Sequence, residues 1–146
     1  MADAKKFDEM SIWDLYETDM AKETEGFWYK VNKKISVKLA RAGGANLAFT
    51  KVMEEKTREH RKRGGALEGD EIDVELVTDL MKQAFAETII LDWKGFTNKA
   101  GKALGYSSKA AYDMMLALPD LFNELRDAAG AAANYRIEAI QDDVGN

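Results

Sequence analysis

The sequence predicts a mainly α, α+β domain in which an N-terminal β-hairpin packs on a bundle of four or five helices. Three observations predict it. Apolar residues alternate with polar ones over the short stretch 27–40, as on a half-buried strand pair. Farther along, apolar residues recur at i, i+3, i+4 spacing in longer stretches, the mark of helices with one buried face. Glycine pairs and a single proline fall between these stretches, where the chain has to change direction.

Residues 1–25 form an acidic arm in which Ile12, Trp13, Leu15, Tyr16 and Met20 have some helical spacing, so a short helix or a flexible tail is expected there. From Gly26 to Arg41 the period changes. Phe27, Tyr29 and Val31 alternate with Trp28, Lys30 and Asn32, and Ile35, Val37 and Leu39 with Ser36, Lys38 and Ala40. This predicts a hairpin over 27–40 with Asn32-Lys33 as a two-residue turn, because asparagine tolerates the positive φ such turns require. A lone hairpin is marginal in water, so one of its faces has to pack on the helices.

Ala42-Gly43-Gly44 ends the strand, and from Ala45 a helix with Ala48, Phe49, Val52 and Met53 on one side runs to about Lys62. Arg63-Gly64-Gly65 closes it, with Arg58, Arg61, Lys62 and Arg63 at the negative end of its dipole. Leu67 to Glu71 reads as a polar connection, and Asp70 or Asp73 as the cap of the central core helix. That helix carries Leu76, Val77, Leu80, Met81, Ala84, Phe85, Thr88 and Ile89, with Glu71, Asp73 and Glu75 complementing its dipole. After Asp92-Trp93, the run from Lys94 to Lys102 has no period and reads as a loop. Ser107 can cap a helix through Ala111, Tyr112, Met115 and Leu116, and Pro119 can open the last one. Leu121, Phe122, Leu125, Ala128, Ala129 and Ala132 hold one side of that helix, extended by Tyr135, Ile137 and Ile140. One domain is expected over 26–140, followed by a frayed tail at 141–146.

The net charge of -5 is unevenly spread. Residues 1–25 carry 3 basic and 8 acidic groups, 26–63 carry 11 and 3, 64–92 carry 1 and 8, and 93–146 carry 6 and 7. The acidic segments can fold beside the basic one and neutralise it, an acidic partner or nucleic acid can dock there, or the asymmetry has no role. No apolar run reaches the roughly 20 residues needed to cross a bilayer, and the acidic amino terminus lacks the apolar stretch of a signal peptide. The cytosol is therefore the expected compartment.

Catalysis finds little to work with. There is no cysteine, and the one histidine, His60, has no second imidazole to join it in a triad or a metal site. Gly43-Gly44 and Gly64-Gly65 are followed by no Gly-Lys-Ser/Thr, so neither is a phosphate loop. No catalytic, cofactor-binding or metal-binding residue is expected. The basic helix end before Gly64-Gly65 could be half of a helix-turn-helix, but the next helix opens with Glu71, Asp73, Glu75 and Asp79, which phosphates repel. Trp93, Phe96 and Tyr106 could meet a partner or form a flap closing the core.

Three stretches carry a family likeness: ETDMAKETEGFWYKV (17–31), VKLARAGGANLAFTKVMEEKTR (37–58) and AETIILDWKGFTNKAGKALGYSSKAAYDMMLALPDLFNELRDAAG (86–130). Together they resemble a tail assembly chaperone of long-tailed bacteriophages. In such proteins an acidic run precedes a short strand pair, an Ala-Arg-Ala-Gly segment (here Ala40 to Gly43) leads into the first helix, and a Leu-Asp-Trp-Lys-Gly signature (Leu91 to Gly95) opens a loop ending in Tyr-Ser (Tyr106-Ser107). The likeness covers roughly residues 17 to 136, and the basic run Arg58 to Arg63 is more pronounced than the family pattern.

The resemblance implies a non-catalytic protein of the infected bacterial cytoplasm that needs no cofactor. It would bind the tape measure protein, keep it soluble, assist tail tube protein assembly around it, and be absent from the mature virion. Self-association is open; a membrane is not expected as a partner and nucleic acid is disfavoured. The expected partner contacts are Trp93, Phe96, Tyr106, Arg58 and Arg61. The alternatives are a structural or completion protein of the tail and, more distantly, a DNA-binding regulator.

Overall fold

The computed structural model describes residues 6–62 and 74–137. Among these the element order is α1 (Ile12–Tyr16), α2 (Met20–Glu25), β1 (Phe27–Lys30), β2 (Ser36–Leu39), α3 (Leu47–Lys62), α4 (Val74–Thr88), β3 (Ile90–Lys94), α5 (Ser108–Ala117) and α6 (Pro119–Gly130). Short 3-10 turns stand at Phe7–Glu9 and Ala132–Tyr135. The α+β class is as expected: helices dominate, and the hairpin is present. The expected caps Asp70 and Asp73, the glycine pair Gly64-Gly65 and the tail 141–146 lie outside the described residues.

β1 and β2 pair antiparallel with Phe27 opposite Leu39 and Tyr29 opposite Val37, so these four side chains share the face turned to the core. The turn differs from expectation. Lys30 pairs with Ser36, and Val31 N–H donates to the Ile35 carbonyl at 2.9 Å, leaving a loop longer than two residues. Asn32 does not take a positive φ. Its side-chain Oδ1 instead accepts from the N–H groups of Lys34 and Ile35, both at 2.8 Å, and so stands in for a backbone carbonyl in closing the turn.

A larger departure is β3. Residues 90–94 were expected as the end of a helix and the start of a loop, yet they add a third antiparallel strand to β2, with Val37 opposite Trp93 and Ser36 opposite Lys94. The central helix α4 ends at Thr88, and Ile89, fully buried, leads into this strand. Without β3 the outer edge of β2 would leave its backbone donors and acceptors unpaired beneath the helices. The register slips between Lys38 and Leu39, which breaks the alternation of β3 so that Ile90 and Trp93 both face inward. That slip erased the period-2 signal from the sequence.

The core lies between this sheet and helices α4, α5 and α6. Val37, Leu39, Phe85, Ile89, Ala111, Met115, Phe122 and Leu125 are among its buried members. Ser107 caps α5 as predicted, its Oγ accepting from Ala110 N–H at 3.0 Å, and Pro119 opens α6. The last helix is shorter than predicted, ending at Gly130 rather than running on through Tyr135. The 3-10 turn that follows swings Tyr135 into full burial, edge-on to Phe27 at 5.1 Å, with its hydroxyl donating to the Leu39 carbonyl at 3.2 Å. Asn134 Nδ2 donates to the Ala128 carbonyl at 2.8 Å, reinforcing the long 3.4 Å bond that this carbonyl accepts from Ala131 N–H at the helix end.

The stretch expected as an acidic arm carries the short helices α1 and α2, and from Thr18 on it packs on the rest of the chain. Asp19 N–H donates to the Tyr135 carbonyl at 2.8 Å, Thr18 bridges to Arg136, and Glu23 is buried against the Arg41 guanidinium. Helix α2 thus belongs to the folded body, and the exposed arm is the segment before Thr18.

Candidate functional site

Among the four longer helices, α3 is the least absorbed by the core. None of its residues is buried, and it rests on α4 through one ring contact and one polar network. Phe49 meets Phe85 edge-on at 5.4 Å, and Phe85 in turn meets Phe122 at 5.4 Å, so a chain of aromatic rings anchors the start of α3 to α6. About two turns along, Lys56 Nζ lies 2.9 Å from Glu87 Oε2 and donates to Gln83 Oε1 at 3.2 Å. Gln83 Nε2 donates to Asp79 Oδ2 at 2.8 Å, and the Tyr112 hydroxyl donates to the other oxygen of Asp79. The network ties α3, α4 and α5 together. It also realises one of the charge readings in part, since a lysine of the basic segment meets a carboxylate of the acidic one.

Beside this contact a groove of about 470 Å³ runs along α3, lined by Phe49, Thr50, Met53, Glu54, Thr57, Arg58 and Arg61. Positions 49, 53 and 57 follow one another at i, i+4 spacing, so they form a continuous strip down one side of the helix, with Arg58 and Arg61 on its rim toward the C-terminal end.

Of the five expected contact residues, Arg58 and Arg61 are exposed and come together at this groove. The three aromatics do not. Trp93 and Phe96 are 7% and 8% exposed, stacked at 4.2 Å with nearly parallel rings, and Tyr106 stands edge-on to Trp93 at 5.4 Å. Trp93 Nε1–H donates to the Leu104 carbonyl at 2.8 Å, and the Tyr106 hydroxyl donates to the Ile90 carbonyl. They close the loop over the core, because Thr97 bridges to Ala103 and folds the loop back on β3. The flap reading describes them. Replacing Trp93 by phenylalanine should cost about 1–3 kcal/mol, since it strands a part-buried carbonyl, and urea unfolding measures it.

Sequence reasoning missed two surface features. Phe7, Ile12, Trp13, Tyr16 and Met20 are each about two-thirds exposed or more, so the arm presents its apolar side chains to solvent. On the outer face of the sheet Lys94 Nζ sits 4.2 Å over the Trp28 ring, with Lys38 and Asp92 paired beside them. Strand alternation placed Trp28 outside; nothing local placed Lys94 over it.

Several tyrosines hold their protons more tightly than usual. The hydrogen bond to Asp79, then burial, pushes Tyr112 up to about 12, and burial raises Tyr106 and Tyr135. Unfolded tyrosine titrates near 10.0, so the folded state binds more protons above that pH. The stability these groups contribute is full below pH 10 and falls as pH rises through about 12. Urea midpoints measured across that range should drop, and Tyr112→Phe should flatten part of the drop.

Among the described residues no group of His, Cys, Asp and Glu side chains is placed to hold a metal ion, and no helix is long and apolar enough to cross a membrane. The fold and groove define a small α+β domain with an apolar groove along one helix. Residues 43–146, which include α3 and everything after it, match the family model of the YdaY prophage protein, and the chain belongs to that family. It is phage-derived. No curated protein and no solved structure matches it.

Proposed function

We propose that the chain is a non-catalytic assembly chaperone of the phage tail, which holds the tape measure protein soluble in the host cytoplasm while tail tube protein assembles around it, and then departs. The observation that carries this reading is the α3 groove. A strip formed by Phe49, Met53 and Thr57, rimmed by Arg58 and Arg61, on a helix with no buried residue, suits one turn after another of a long amphipathic helix carrying acidic groups. Prophage origin and the resemblance of the 17–31, 37–58 and 86–130 stretches to tail assembly chaperones support it. The arginines steer and orient, while the apolar strip supplies the area.

The test is co-expression with the tape measure protein of the same prophage, followed by affinity pull-down and a comparison of tape measure solubility with and without this chain. Co-purification with rescued solubility, weakened by Arg58→Glu with Arg61→Glu, is expected. No binding and no rescue would sink the reading and favour a structural protein of the tail, whose presence in purified virions would then be looked for.

A further inference from the structure

The arm and the groove are complementary to one another. Residues 6–20 carry 1 basic and 5 acidic side chains, while Phe7, Ile12, Trp13, Tyr16 and Met20 stand 65–74% exposed. Soluble surfaces rarely leave so many large apolar side chains uncovered in one short stretch. Helix α1 is also well made for its length. Ser11 and Asp14 form a reciprocal capping box, with Ser11 N–H donating to Asp14 Oδ2 at 3.0 Å and Asp14 N–H to Ser11 Oγ at 3.2 Å. Ile12, Trp13 and Tyr16 then share a face at i, i+1, i+4 spacing. The arm is thus a preformed amphipathic turn whose apolar side chains stay about two-thirds exposed, with the Arg136 guanidinium 5.8 Å from the centroid of the Tyr16 ring.

We propose that a second copy of this chain supplies the cover: the arm of each protomer lies in the α3 groove of the other, giving a dimer by reciprocal exchange. Trp13 and Tyr16 would lie along the strip of Phe49 and Met53, with the acidic side chains of the arm directed toward the Arg58 and Arg61 rim. The ends of the arm fit such a role. Arg136 Nη1 donates to the Tyr16 carbonyl at 3.1 Å and Thr18 bridges to Arg136, so the arm leaves the body from a fixed point. Its sense follows from charge, acidic against basic, and a like-charged alternative is repelled.

The proposal deepens the chaperone reading, since the arm would hold the groove until a client helix displaces it. It is measured on the chain alone, so either can fail without the other. Sedimentation equilibrium of the full chain over a range of concentrations should show a monomer–dimer equilibrium that weakens as salt is raised. Trp13→Ala in the arm and Met53→Glu in the groove should each raise the dimer dissociation constant by at least about tenfold. Both positions lie outside the buried core, and an unchanged circular dichroism spectrum checks that each variant folds. Mixing the two variants should recover a heterodimer, because one intact arm then meets one intact groove. A wild-type chain that stays monomeric throughout, a dimer that survives either substitution, or a mixture of the folded variants that stays monomeric would overturn the proposal.

Discussion

Gly95→Ala should cost about 3 kcal/mol or more and lower the urea midpoint sharply, because two penalties fall on one residue. Gly95 sits at φ +81°, where a side chain costs roughly 1–2 kcal/mol. A Cβ there would also stand 2.1 Å from the Lys34 carbonyl oxygen and 3.2 Å from the Ile35 Cα, both backbone atoms of the hairpin loop. The loop cannot yield freely, since Ile35 is tied to Val31 and Asn32 by backbone hydrogen bonds. Relief would require β3 to draw away from β2. Gly101 separates the two penalties, for it has a similar φ of +86° and no atom within 4 Å of an added Cβ. Gly101→Ala should cost only about 1 kcal/mol. Equal losses at the two positions would show that conformation alone matters and that β3 does not pack as described.

Glu23→Ala should be at least as damaging, about 3–5 kcal/mol, because it leaves a partly buried guanidinium without its carboxylate. Glu23 is 2% exposed and the Arg41 side chain 21%. Around them the same short stretch of chain is fixed three times over: Arg41 N–H donates to the Glu23 carbonyl at 2.8 Å, Asn46 Nδ2 to the Arg41 carbonyl at 2.9 Å, and Ala42 N–H to the Ala129 carbonyl at 3.0 Å. The ion pair therefore joins α2 to the segment that follows β2, which Ala42 in turn ties to the end of α6. Replacing both Glu23 and Arg41 by methionine should recover most of the loss, since it removes the uncompensated charge and keeps the volume. A double mutant as unstable as Glu23→Ala would place the stabilisation in the shape of the site rather than in its charge.

The same pair shows why the contact between α2 and the rest of the chain is not legible in the sequence. An acidic stretch rich in lysine, glutamate and threonine has the composition of a tail, and Glu23 differs from Glu17 or Glu25 only in which residue it meets. That partner, Arg41, lies beyond a complete hairpin. Trp93 and Phe96 were open to two readings for a comparable reason. Aromatics in a glycine- and lysine-rich run look like contact residues until the loop is seen to fold back, placing the Leu104 carbonyl over the indole N–H.

What the sequence determined by itself was everything governed by neighbours a few residues apart. The alternation at 27–39, the i, i+4 strip of α3, the buried side of α4, the Ser107 cap and the Pro119 start all follow from local periodicity and backbone chemistry. What only the tertiary structure decided was whatever depends on an edge or partner brought from far away. Ile90 to Lys94 became a strand because β2 offered an unpaired edge, Tyr135 left the helical stripe because a site between Phe27 and Leu39 took its ring and hydroxyl, and the basic helix end became the rim of a groove because α3 met α4 along one side and, among the described residues, was left open on the other. Hydrogen-bond satisfaction and close packing act between surfaces in space, and a one-dimensional pattern shows one surface at a time.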